Sequence, residues 1–288
     1  MLSGVFFVHV SATKAKLRGG APPYARYDRP MGRIIVITSG KGGVGKTTVC
    51  AALATTLANA GKRVVAVDAD VSLNNLDLAL GLESAVIYDL YDVVCGNCRL
   101  RQALLRYPPN ENLSLLPSVH PLGSVDSRAF AEVAQTLAET FDFVLIDCPA
   151  GIDEGFCRAA RAAGEALVVT TPHTSALRDA DKVLGLLDGY HIERTGLVIN
   201  RLRGDMVLDG SMLSPHDVGR ILHARVVGCI PEDDSVLFMC GTTPKESEHH
   251  TAVVMLARYL LGLDKGVYDV TAAYRGAVGR LRRLLKKI

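Results

Sequence analysis

The sequence predicts a doubly wound α/β protein: a mainly parallel sheet with helices on both faces, plus a C-terminal amphipathic helix. Three observations predict it. Short runs of Val, Ile and Leu alternate with longer stretches of helical length, and strands apolar on both faces are strands covered on both sides. Regular β-α alternation without an internal repeat builds one sheet through right-handed crossovers. A glycine-rich loop joins the first apolar run to the first helical stretch, on the side of the sheet where open α/β folds bind ligands.

Residues 1–30 precede the first strand and lack the pattern of a packed element. Residues 4–10 are apolar but few, and Lys14, Lys16 and Arg18 follow them, the reverse of a secretory signal. Gly19, Gly20, Pro22, Pro23 and Pro30 break any element before Met31. This stretch is expected to be a disordered extension or a mis-assigned start upstream of Met31. Strands are expected at 33–38, 63–68, 113–116, 143–147, 166–171, 196–200 and 226–230. Helices are expected at 47–60, 129–140, 176–187, 215–223 and 251–261. Residues 31–265 then form one domain, and 266–288 a linker and terminal helix.

With 49% hydrophobic and 22% charged residues, the chain of 288 residues can bury a large core, which excludes a disordered polymer. No apolar run reaches the roughly 18 residues of a membrane-spanning helix. The cysteines (Cys50, Cys95, Cys98, Cys148, Cys157, Cys229, Cys240) are odd in number and scattered, the pattern of reduced thiols. Cys95 and Cys98 form a C-x-x-C with no second pair at matching spacing, and read as structural thiols. His249 and His250, adjacent at a helix start, point in different directions and make no metal site.

The formal charge of +2 conceals an asymmetry. Residues 275–288 carry six basic groups and no acid, whereas residues 31–274 carry 21 bases against 29 acids, a net of −8. A basic tail follows an acidic body, which points to an anionic surface contacted by the tail. At about 100° per residue, Tyr274, Ala277, Val278, Leu281, Leu284, Leu285 and Ile288 fall within an arc of about 120°, with all six bases opposite. Such a helix lies in a membrane interface. Each base near an anionic surface contributes roughly 1 kcal/mol, and ordering the helix offsets much of the gross attraction. One copy therefore binds anionic membrane lipids weakly, and two copies on one face of a dimer gain avidity.

The strongest chemical signal is Gly40-Lys41-Gly42-Gly43-Val44-Gly45-Lys46-Thr47-Thr48, a G-x-x-x-x-G-K-[ST] phosphate loop between a strand and a helix. Its glycines let backbone N–H groups surround phosphates at the positive end of the helix. Lys46 is expected to neutralise the β- and γ-phosphates, and the Thr47 hydroxyl to ligate Mg²⁺. Asp68 and Asp70 follow the second strand at the sheet edge where ligands bind, placed for holding metal and positioning water. Lys41, so early in the loop, cannot easily fold back on the same phosphates.

GKGGVGKTT resembles the deviant Walker A motif of the MinD and ParA family of ATPases, and the resemblance spans 32–263 through VDADVSLNNLDLALGLE, YDVVCGNCRLRQAL, IDCPAGID, LRDADK and Asn200-Arg201. It implies a P-loop NTPase of the SIMIBI type that hydrolyses ATP with Mg²⁺. It assigns Lys41 to the ATP of the other subunit in a homodimer, Asp70 to the attacking water and Asp147 to the metal through water. It also implies that Gly151 approaches the γ-phosphate in a second switch loop, whose usual Ser or Thr is Cys148 here, and that Asn200, Arg201 and Pro231 belong to the nucleotide site. Arg178, Asp179 and Asp181 match a partner surface, although His173 stands where relatives often have Glu. The implied partners are a MinC-type inhibitor of the division ring and a MinE-type or other topological regulator, at the cytoplasmic face of the membrane. Two alternatives share the loop. A ParA-type DNA-positioning ATPase fits poorly with an acidic body, so no specific nucleic acid is expected. A flagellar-number regulator usually bears an N-terminal DQAxxLR-type motif, which residues 1–30 lack.

Overall fold

The computed structural model describes residues 30–70, 75–120, 125–233, 247–276 and 279. The reading of residues 1–29 lies outside them. Eight strands form one sheet in the order β3-β4-β2-β5-β1-β6-β7-β8. They are β1 (Arg33–Thr38), β2 (Val64–Asp68), β3 (Leu105–Arg106), β4 (Leu113–Leu116), β5 (Phe143–Asp147), β6 (Glu165–Thr170), β7 (Arg194–Leu202) and β8 (Val226–Pro231). All pairings are parallel except β3 with β4 at one edge.

The helices are α1 (Lys46–Asn59), α2 (Leu76–Leu80), α3 (Leu90–Cys95), α4 (Leu100–Ala103), α5 (Ser127–Thr140), α6 (Glu154–Ala162), α7 (Thr174–Leu187), α8 (Gly204–Leu208), α9 (Pro215–Ile221) and α10 (Glu248–Leu260). None of the described helices is long and apolar enough to cross a membrane. Strand alternation divides the core. Ile35 and Ile37 face one way, into a cluster with Leu53 and Leu57 of α1 and Leu256 of α10. Val36 faces the other way, toward Phe130 of α5, Phe156 of α6 and Val183 of α7.

All seven expected strands are present. β7 is longer than its apolar run because Arg194 and Thr195 continue the pairing with β6 in an exposed stretch. Glu165 can open the buried strand β6 because the Arg33 guanidinium grips both carboxylate oxygens at 2.6 Å. Helix α6 was not expected from the sequence. Asp153 caps it by accepting the Gly155 and Phe156 N–H groups, and only then does its alanine-rich face reach α5.

The tail also differs from the expected continuous helix. Tyr274 lies in a 3-10 turn (Ala272–Tyr274), Arg275 is extended and Gly276 has φ +73, so helical periodicity is interrupted there. Val278, Leu281, Leu284, Leu285 and Ile288 lie outside the described residues.

Phe130 is fully buried where α5 meets α6. Phe130→Ala is expected to lower unfolding stability by about 3–5 kcal/mol, measured by urea titration, with nucleotide affinity retained in the folded fraction.

Candidate active site

The sheet order reverses about β1, with β5 on one side and β6 on the other, and the loop leaving β1 opens into the resulting crevice. Gly45 caps α1 in a left-handed conformation (φ 90), which glycine adopts without strain. No acidic residue occupies the first turn of α1, so its positive end is uncompensated. The glycines have two kinds of reason. A Cβ at Gly40 would collide with the Asp179 backbone of α7, and one at Gly45 with the Asn200 amide. At Gly42 and Gly43 no described atom comes within 4 Å of that position, so the loop is open where a phosphate would approach.

Under the loop lies a compact charge cluster. Lys46 Nζ donates to Asp147 Oδ1 at 2.8 Å, with both side chains buried. Burial disfavours the ammonium, but the charge and hydrogen bond of Asp147 outweigh it and raise its pKa. Burial pushes the Asp147 carboxyl up, while Lys46 and the neighbouring Thr47 hydroxyl draw it back down. Asp68 and Asp147 are register partners on neighbouring strands. The Asp68 carboxylate accepts N–H groups from Asp70 at 2.9 Å and Leu76 at 3.3 Å. Burial, followed by the adjacent Asp147 charge, pushes its carboxyl up to about 8. Asp70 is buried in the same cluster, where Asp68 and Asp147 lie side by side and Lys46 pairs with Asp147. Hard oxygen donors of this kind suit a Mg²⁺ ion beside a nucleotide phosphate.

The loop that follows β5 is tied to β1. Cys148 N–H donates to the Ile37 carbonyl and Gly151 N–H to the Ser39 carbonyl, each at 3.0 Å. Burial pushes the Cys148 thiol up to about 12, so it stays protonated in water. Asn200 is buried and its amide donates to the Val44 carbonyl at 2.9 Å, bracing the loop. Pro231 is buried at the end of β8, while Arg201 is exposed at φ 56. Lys41 stands apart from this cluster, its Nζ donating to Ser175 Oγ of α7 at 3.1 Å. On the same helix Arg178 and Asp181 are exposed, and Asp179 pairs with Lys182 at 3.4 Å. Ser39 and Ser175 carried no sequence signal. Ser175 lies 134 positions from its lysine, and only the fold brings them together.

Cys95 and Cys98 are free thiols at the end of α3, well away from the loop in sequence. His249 is buried, and burial lowers its pKa. Asp89, Asp92 and His120 cluster, but Asp89 spends its carboxylate capping α3 and holding the Val119 and His120 N–H groups.

A glycine loop braced at the start of α1, a buried lysine within it and strand-end aspartates beneath it define a P-loop nucleotide hydrolase. The family model for the AAA domain matches residues 32–192. The septum site-determining protein MinD of Synechocystis sp. is 41% identical over 263 residues, covering 88% of this chain and 99% of that protein. Among solved structures, MinD in the MinC:MinD cell division protein complex of Aquifex aeolicus superposes with a TM-score of 0.77 at 37% identity, covering 82% of this chain and 98% of that one. MinD complexed with Mg-ADP from Pyrococcus horikoshii gives 0.71 at 34% identity, covering 80% and 96%. The chain belongs to the MinD family of septum site-determining ATPases.

The Asp68 carboxyl predicts a pH dependence. It titrates near 3.8 when unfolded and near 8 when folded. Its contribution to stability is therefore complete below pH 4 and is lost as pH rises through 8. Without nucleotide or metal, Asp68→Asn is expected to gain on the parent in unfolding free energy between pH 5 and pH 8, by at most about 1.4 kcal/mol per pH unit, measured by urea titration. A difference independent of pH would contradict the assigned burial.

Proposed function

We propose that this protein is a MinD-like ATPase that dimerises with ATP, binds the cytoplasmic membrane and recruits a division-ring inhibitor to place the septum. The observation that carries this reading is the separation of its two loop lysines. Lys46 is buried on Asp147 beneath its own loop, whereas Lys41 lies outside on Ser175. A lysine so placed is available to a second subunit's nucleotide, which couples ATP occupancy to dimerisation.

Mg²⁺, when bound, supplies neutralisation of charge on the β- and γ-phosphates. The rest falls to the chain's own residues. The loop N–H groups and Lys46 hold the phosphates, and Thr47, Asp68 and Asp147 are the donors for the metal. Lys46 then exchanges its contact with Asp147 for phosphate oxygens. Asp70, at the end of β2, orients the attacking water, and the Gly151 loop, anchored to Ser39, follows the γ-phosphate. Asn200, Arg201 and Pro231 border the nucleotide from the ends of β7 and β8.

The inhibitor is of MinC type, on the analogy of the MinC:MinD complex of Aquifex aeolicus. The exposed Arg178 and Asp181 with Asp179 on α7 form its docking face, shared with a MinE-type or other topological regulator. The basic tail places the dimer on anionic lipid at the inner face of the cell membrane. The net charge of −8 over residues 31–274 disfavours a DNA-positioning role.

Lys41→Ala is expected to bind ATP and stay monomeric, where the parent doubles its mass in ATP by light scattering. Persistent ATP-dependent dimers of the variant would overturn the assignment. In co-sedimentation with anionic liposomes, the parent should pellet in ATP and remain soluble in ADP. A chain ending at Thr271 should stay soluble in both, and pelleting with duplex DNA instead would favour cargo movement on the nucleoid.

A further inference from the structure

The C-x-x-C formed by residues 95–98 is left unused by the nucleotide chemistry. The fold places it at a joint between two helices. Cys95 is the last residue of α3, and α4 begins at Leu100. Gly96 takes a left-handed conformation (φ 77), its N–H donates to the Val93 carbonyl at 3.2 Å, and the Asn97 N–H donates to the Asp92 carbonyl at 2.9 Å. This pair of bonds ends a helix by turning the chain back. On the far side Arg99 caps α4, its N–H held by Gln102 Oε1 at 3.0 Å. Both helix ends are fastened, and the two cysteines bracket the turn between them. Three steps of extended chain limit their Cα separation to about 10 Å. The reversal at Gly96 shortens it toward the roughly 4.4–6.8 Å of a disulfide.

The two thiols differ in what can reach them. Among the described cysteines Cys95 is exposed, Cys98 and Cys157 are half-buried, and Cys50, Cys148 and Cys229 are buried. Cys98 packs against the part of the core that holds Leu90 and Val93. Burial, followed by the charges of Asp92 and Asp89, pushes its thiol up. An open thiol beside a sheltered one is the arrangement in which the first reacts from solvent and the second resolves the product.

We infer that Cys95 and Cys98 form a reversible dithiol–disulfide site, oxidised by low-molecular-weight disulfides of the glutathione type. The Cys95 thiolate attacks one sulfur of the oxidant, breaking its S–S bond and releasing one small thiolate. Cys98 then loses its proton and attacks the Cys95 sulfur, expelling the second small thiolate. Two cysteines are oxidised to one disulfide, the oxidant is reduced to two thiols, and the two cysteine protons pass to the leaving thiolates. The reduced turn is held by hydrogen bonds, among them Asn97 Nδ2 to Asp92 Oδ1 at 3.1 Å, and the disulfide adds a covalent tie across it. Exposed disulfides are the labile ones, so excess small thiol returns the site to the dithiol. None of these steps depends on nucleotide, dimer or membrane.

The test uses the full folded chain, incubated with oxidised glutathione, alkylated with iodoacetamide in denaturant and digested with trypsin. Residues 64–99 form one tryptic peptide, which carries Cys95 and Cys98 and no other cysteine. In the parent this peptide is expected to be unalkylated, free of glutathione and lighter than the dithiol by two hydrogens. Dithiothreitol before alkylation should restore two alkylated cysteines. Cys98→Ser should instead retain one glutathione on Cys95, because nothing resolves the mixed disulfide. In Cys95→Ser the sheltered Cys98 should be modified about tenfold or more slowly than Cys95 is in Cys98→Ser. Basal ATP hydrolysis at the parent's rate reports that each variant is folded, and the parent's own peptide mass decides the matter should a variant misfold. A parent peptide that keeps a glutathione, or that remains fully alkylated in excess oxidant, overturns the site.

Discussion

The Lys46–Asp147 contact lies where the phosphate loop, the central strands and the loop after β5 meet. It joins the first residue of α1 to the last residue of β5, and β5 continues directly into Cys148 and Gly151. The parallel register then sets Asp68 beside Asp147, so one ammonium must serve more than one buried carboxylate. Burying charges without full pairing is costly. The resting site meets that constraint by keeping the Asp68 carboxyl protonated up to about pH 8 within the apolar core that surrounds the cluster.

Helix α7 links this site to the surface. Its Asp179 backbone presses on Gly40 and its Ser175 receives Lys41. The same helix exposes Arg178 and Asp181. Any displacement of the loop against α7 is transmitted by packing, since a glycine with no room for a methyl group cannot shift independently of the backbone facing it. A partner bound to α7 would therefore act on the lysine contact through a single helix.

How much of this was legible in the sequence depended on range. Runs such as FVLID and VVAVD declare strands buried on both faces, and GKGGVGKTT declares its loop, because these signals are local. β3 has two residues, too few for any period to show, and α6 needed the Asp153 cap and the α5 surface to exist. The sequence order placed Asp68 and Asp147 at strand ends, but only strand register put them side by side. Ser175 was invisible because its role is created by a crossover. The tail stripe was legible as a period, whereas its interruption at Arg275 depends on the packing of Tyr274 over Gly204.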